Sequence, residues 1–79
     1  MNNEQILFQA IADVFRVDVA TVSENSSPDS IPKWDSLGMV HLVTELEQVF
    51  GVQFDLLEIA DFRNTAIIKS ILAEKGVRF

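Results

Sequence analysis

The 79-residue chain contains no cysteine, so it can form neither a disulfide nor a thiolate metal site, and it has no thiol nucleophile of its own. It also lacks a glycine-rich phosphate loop and any zinc-binding spacing around its single histidine, His41. Lysine and arginine are few: six of them against twelve acidic residues give a net charge of −6 at pH 7, which disfavours nucleic-acid binding.

Long apolar runs are absent as well, so no membrane-spanning segment is predicted. No basic stretch precedes the first apolar residues, and a secretory signal is therefore not expected. These missing signals favour a protein of the cytoplasm. An acidic surface of this kind aids solubility and also suits encounters with basic partner surfaces, and the charge alone does not separate the two.

What the chain does have is apolar spacing typical of helices over most of its length. A hydrophobic content of 48% suffices for one compact domain over residues 1–79, while strand signals are nearly absent. We therefore predict an all-α fold, a small four-helix bundle with three longer helices, one short helix and a long first loop. No oligomer seam is evident, so a monomer is expected.

Local stop and start signals place the four helices. The predicted segments are Glu4 to Arg16, then Asp35 (cap) to Phe50 with Gly51 as the stop, a short helix opened by Asp55 and Glu58 and ending near Asp61, and a last helix capped by Asn64 or Thr65 that runs to about Lys75. The first loop carries the helix breakers. We predict a short turn near residues 19–24. We also expect the apolar residues of the loop to pack against the core; they are Val17, Val19, Val22 and Ile31.

The second predicted helix has two different sides. Its apolar side comprises Met39, Leu42, Val43, Leu46, Val49 and Phe50. Leu37 falls instead on the opposite side beside His41 and Thr44, and Val40 lies at the margin near Glu47. Apolar residues where core packing does not require them indicate a docking site for another protein.

Ser36 lies on the first turn of this helix, one residue after the capping carboxylate of Asp35. Free backbone N–H groups and the positive end of the helix dipole converge there, so a helix start is a natural place for a phosphate. This indicates a protein that holds a phosphate-linked group, although both residue types are also ordinary caps. Ser36 and His41 are five positions apart and do not face each other well, so catalysis by the chain itself is not expected.

The Asp35-Ser36-Leu37 sequence at the head of the second helix resembles the attachment motif of acyl carrier proteins and their peptidyl relatives. The resemblance extends over nearly the whole chain. It includes the long preceding loop, the end of the second helix at residues 46–52, the short third helix and the closing helix.

The resemblance implies that Ser36 accepts a 4′-phosphopantetheine arm from coenzyme A, added by a separate phosphopantetheinyl transferase. Asp35 would help to position that reaction through the transferase's magnesium. Acyl groups would be carried as thioesters on the arm's thiol and presented to loading ligases and acyl-processing enzymes with basic surfaces. Partner contacts would come from Leu37, Val40, His41, Thr44 and Glu47. The residues that would move apart to bind an acyl chain within the core are Leu42, Leu46, Phe54 and Ile59.

The chain also departs from the family pattern. Lys33 occupies the position two before the aspartate, where the family often has glycine, and the side of the second helix expected to be exposed carries Gly38, His41, Thr44 and Gln48 instead of many acidic residues. These departures favour a specialised biosynthetic carrier with a dedicated ligase or transferase over the general carrier of fatty acid biosynthesis. An aminoacyl or peptidyl carrier and an unmodified helical interaction module remain alternatives, and the sequence leaves the cargo (fatty acyl, aminoacyl or polyketide) open.

Overall fold

The computed structural model describes residues 2–79, and these form four α-helices and one single-turn 3-10 helix without any strand. The helices are α1 (Asn3–Phe15), α2 (Ser36–Phe50), α3 (Leu56–Ala60) and α4 (Thr65–Glu74), and the 3-10 turn covers Val19–Thr21. The predicted all-α class is confirmed. Within the same residues, every helix is too short or too polar to span a bilayer.

Helix boundaries follow the predicted caps closely. The Asp35 carboxylate caps α2, and Gly51 ends it at a φ of 65°, a left-handed conformation that glycine adopts without strain. Asp55 and Glu58 form a reciprocal capping box at α3, and Asn64 caps α4. Each of these ends is set by residues close in sequence, which is why the spacing alone located them.

The core is built mainly from one side of each longer helix, together with residues of the connecting segments. Its fully buried apolar side chains are Leu7, Ile11, Phe15, Leu42, Leu46, Phe62, Ile68 and Leu72. The assignment of Val49 to the apolar side of α2 was wrong in part, because Val49 is exposed at the rim of the interface with α1, in a shallow groove beside Ile6 and Ala10.

The first loop is anchored at its middle and at its end. Val22 and Ile31 are buried and Val17 is partly buried, as predicted, whereas Val19 is exposed because the 3-10 turn places it beside the outer face of α1 near Phe8. The backbone N–H and the hydroxyl of the buried Thr65 both donate to the carbonyl of Ser26, at 3.0 Å and 3.2 Å. These bonds tie the loop to the start of α4.

Ion pairs and contacts of the last residues connect elements on the outside of the molecule. The Lys69 ammonium on α4 lies 2.6 Å from the Glu4 carboxylate and 2.8 Å from that of Glu24, so it joins α1, the loop and α4. Near the carboxyl end, the Asn3 side-chain amide donates to the carbonyl of Arg78 at 2.9 Å, and the Phe79 ring lies 6.4 Å from that of Phe50. The last residues are thus docked against α1 and α2.

Candidate functional site

Ser36 is the first residue of α2, and it is exposed. The preceding Asp35 accepts the backbone N–H of Gly38 through its carboxylate at 2.8 Å, and its carbonyl accepts the N–H of Met39. The capping carboxylate therefore fixes the first turn, while the serine projects from the positive end of a helix 15 residues long. A hydroxyl in this position is open to modification by an outside enzyme.

The chain enters α2 through a tightly packed corner. Trp34 is only 3% exposed and stacks on Phe15 of α1, with ring centroids 5.3 Å apart and planes inclined by 23°. Gly38 completes the corner, since a β-carbon there would lie 2.1 Å from the carbonyl oxygen of Lys33 and 2.8 Å from the Phe15 ring. The expectation that Gly38 lies on the exposed side was wrong: it is buried because the incoming loop crosses α2 at this point.

Two grooves adjoin this corner. The first, which we call the apolar groove, has a volume of about 510 Å³ and runs between the first turns of α2 and the end of α3. Its lining includes Trp34, Ser36, Met39, Val40, Ile59 and Ala60. The candidate attachment serine therefore lies directly on an open, largely apolar groove.

The second groove, which we call the basic groove, has a volume of about 340 Å³ and is lined by Arg16, Lys33 and His41 together with Asp35 and Leu37. The four ion pairs found within residues 2–79 use other cations, namely Arg63, Lys69 and Lys75. Arg16 and Lys33 thus bring positive charge to the head of α2 in a protein whose net charge is −6.

The residues predicted to meet partners divide into two groups. Leu37 and Val40 are 66% and 60% exposed, and His41 and Thr44 are exposed beside them. Glu47 is half-buried instead, and its carboxylate accepts the backbone N–H of Phe54 at 2.9 Å, which ties α2 to the segment before α3. Glu47 therefore has a structural role in addition to the partner contact that remains a prediction.

Two exposed apolar residues were not singled out from the sequence. Leu56 and Leu57, the first two residues of α3, are 83% and 84% exposed. Leu56 lies one turn before Ala60, which lines the apolar groove, so the exposed leucines extend the apolar surface around Ser36. Helical spacing could not reveal this in a five-residue helix, since Leu56 also lies three residues before the partly buried Ile59.

The residues expected to shelter an acyl chain lie in the core or at its edge. Leu42 and Leu46 are fully buried, Phe54 is buried with its ring edge-on to Phe62 at 5.1 Å, and Ile59 is partly buried. Ile59 alone of these four lines the apolar groove. An acyl chain that entered the apolar groove would contact Ile59 before it reached the buried Leu42, Leu46 and Phe54.

Comparison with known proteins adds no assignment, because no protein-family model matches the chain and no curated protein sequence is significantly similar to it. Within residues 2–79 no three metal-ligating side chains lie close enough together to hold an ion. A functional interpretation must come from the geometry around Ser36.

Proposed function

We propose that this chain is a carrier protein that holds acyl groups as thioesters on a 4′-phosphopantetheine arm attached to Ser36. The observation that supports it best is the placement of an exposed serine directly after an N-capping aspartate, on the first turn of α2 and at the mouth of the apolar groove. A phosphodiester at this position would be stabilised by the helix dipole. We further propose that the four helices form the bundle expected of such carriers.

The residues present suit the arm chemically. Its phosphate would lie near the first-turn N–H groups of α2, with Arg16 and Lys33 in the adjoining basic groove. Its flexible chain would lie along the open apolar groove beside Ser36. When bound, the arm supplies the thiol that the cysteine-free chain lacks.

In this proposal the chain is not itself an enzyme. Leu37 and Val40 contact partners, and the exposed Leu56 and Leu57 extend that surface. The partners are a phosphopantetheinyl transferase, a loading ligase and acyl-processing enzymes with basic surfaces, which complement the acidic chain. We place the protein in the cytoplasm as a monomer.

Intact mass spectrometry tests the proposal. The wild-type protein is incubated with coenzyme A and a broad-specificity phosphopantetheinyl transferase, and we expect a single pantetheinyl adduct. Ser36→Ala should remain unmodified, whereas Ser70→Ala, which removes an exposed hydroxyl from α4, should be modified like the wild type. An unmodified wild-type protein would contradict the proposal and favour an interaction module.

Loading assays separate the two kinds of carrier. The pantetheinylated protein is presented with acyl-activating ligases and, in parallel, with amino-acid-adenylating enzymes, and the mass of the loaded form is recorded. We expect acyl loading. Loading by the adenylating enzymes alone would identify an aminoacyl or peptidyl carrier, and efficient acceptance by general fatty acid biosynthesis enzymes would argue against a specialised role.

A further inference from the structure

The indole of Trp34 carries a polar atom without a partner. Its Nε1 is buried, and no other group within residues 2–79 accepts a hydrogen bond from it. Leaving a buried N–H unpaired is unfavourable, and such groups are rare enough in proteins to require an explanation. Packing alone does not supply one, because a phenylalanine could stack on Phe15 without introducing the donor.

The surroundings of the ring limit where this N–H can point. Phe15 stacks on a face of the indole, and an indole N–H lies in the plane of its ring, so the bond does not point at Phe15. Trp34 also lines the apolar groove, which it shares with Ser36. Of the two grooves beside Ser36, only this one is lined by Trp34, so a partner that reached the N–H from outside the chain would enter here.

None of the other lining residues accepts a hydrogen bond from the indole. Met39, Val40 and Ile59 are apolar, and the two polar residues of the lining, Asp35 and Ser36, are not bonded to it. Met39 is unbranched and only partly buried, so its side chain can change rotamer and widen the groove toward Trp34. A ligand that entered here with a purely hydrocarbon chain would leave the donor unpaired, whereas one with a carbonyl would satisfy it.

We infer that the Trp34 N–H is a hydrogen-bond donor for a carbonyl oxygen of the chain carried on Ser36, and that this bond holds the chain in the apolar groove. The inference rests on the proposed function. The acceptor is a carbonyl oxygen. It belongs either to an amide of the pantetheine arm or to the thioester that joins the acyl group to the arm. Trp34 is thus a positioning residue that selects a bent, docked arrangement of the arm over a freely extended one.

The chain has a single tryptophan, so one indole N–H signal in a ¹H–¹⁵N correlation spectrum reports on this bond without ambiguity. Spectra are recorded for the unmodified, pantetheinylated and acylated protein, and intact mass confirms each state. We expect the indole proton to move downfield when its acceptor arrives. Ser36→Ala, treated identically, is the matched control and should show no change.

Each outcome has a distinct meaning. A shift on pantetheinylation assigns an amide carbonyl of the arm as the acceptor, and a shift that appears only on acylation assigns the thioester carbonyl. An indole signal that stays in place through both steps overturns the inference while leaving the carrier function intact. Failure to load at all, seen by mass, instead contradicts the proposed function.

A second measurement uses the absence of cysteine. Once the protein is pantetheinylated, the arm bears the only thiol, and its rate of reaction with a thiol reagent measures how freely the arm moves. In Trp34→Phe, which keeps an aromatic ring against Phe15 but removes the N–H, an arm held through an amide should react faster by about 2- to 10-fold, as expected for one neutral hydrogen bond. For an acylated arm the same factor should appear in thioester hydrolysis. Equal rates in wild type and variant for both reactions would refute the inference.

Discussion

A β-carbon on Gly38 would lie 2.1 Å from the backbone carbonyl oxygen of Lys33, so the loop packs directly against the backbone of the first turn of α2, where Gly38 has no side chain. Backbone atoms cannot move aside as a flexible side chain can. We therefore expect Gly38→Ala to displace the start of α2 and to lower the free energy of unfolding by about 1–3 kcal/mol, the usual range for overpacking. Urea denaturation measures this change.

The control for that substitution is Gln48→Ala, an exposed position on the same helix where added or lost atoms meet solvent. It should change the free energy of unfolding by no more than about 0.5 kcal/mol. If Gly38→Ala were as stable as this control, the close packing between Lys33 and α2 would be disproved.

Leu37 and Leu46 lie on the same helix but in opposite surroundings. Leu46 is fully buried, so Leu46→Ala should lower the free energy of unfolding by roughly 2–5 kcal/mol. Leu37 is 66% exposed, and Leu37→Ala should leave the melting temperature nearly unchanged. Thermal denaturation of the two variants checks this, and a large decrease for Leu37→Ala would place it in the core and remove it from the proposed partner surface.

Asp35 combines a structural bond with a proposed role in modification. Asp35→Ala removes the acceptor for the Gly38 N–H and should lower the free energy of unfolding by about 0.5–2 kcal/mol. Asp35→Asn keeps an oxygen that can cap the helix but loses the charge. We expect it to retain most of the stability while slowing pantetheinylation, as followed by intact mass over time. Unchanged modification of Asp35→Asn would contradict a role for the negative charge.

The Glu58 carboxylate is bonded to the Lys75 ammonium at 2.8 Å and accepts the backbone N–H of Asp55 at 2.9 Å. The bond to Lys75, followed by the one to the Asp55 backbone, holds the pKa of Glu58 below its ordinary value. A lowered pKa stabilises the folded state above the ordinary pKa of a glutamate, and this stabilisation is lost as the pH falls through the pKa of the folded protein. The wild type should therefore lose stability on acidification.

Comparison with Glu58→Gln isolates this contribution, because glutamine still completes a capping box but does not titrate. Between about pH 5 and pH 3 the free energy of unfolding should fall less steeply in Glu58→Gln than in the wild type. Gln48→Ala, which alters an exposed side chain that does not titrate, serves as the reference and should follow the wild-type slope. A wild-type slope in Glu58→Gln would show that ionisation of Glu58 contributes nothing to the pH dependence of folding.

The helix boundaries could be read from the sequence because their determinants are local. The Asp35 cap, the Gly51 stop and the Asp55–Glu58 box each act within four residues of the end they define. The exposure of Leu37 also followed from helical spacing, because it falls opposite to the apolar side of α2. These features place the candidate attachment serine on the first turn of a helix before any tertiary contact is considered.

Features that depend on how the connecting segments pack against the helices could not be predicted from helical spacing. Gly38 is buried because the loop at Lys33 crosses over it, and Glu47 turns inward because the Phe54 N–H lies within reach. The Lys69 ammonium bridges Glu4 and Glu24, which lie 65 and 45 residues away along the chain. The two grooves beside Ser36 likewise arise from the packing of the loop, α1 and α3 against α2, which no spacing rule describes.

The bond between the Asn3 side chain and the Arg78 carbonyl brings residues near the two ends of the described segment, 2–79, into contact. A short peptide linker could therefore close the backbone into a ring without stretching any helix. Circularisation would restrict the unfolded chain far more than the folded one, so it should raise the melting temperature while leaving Ser36 and its grooves as they are.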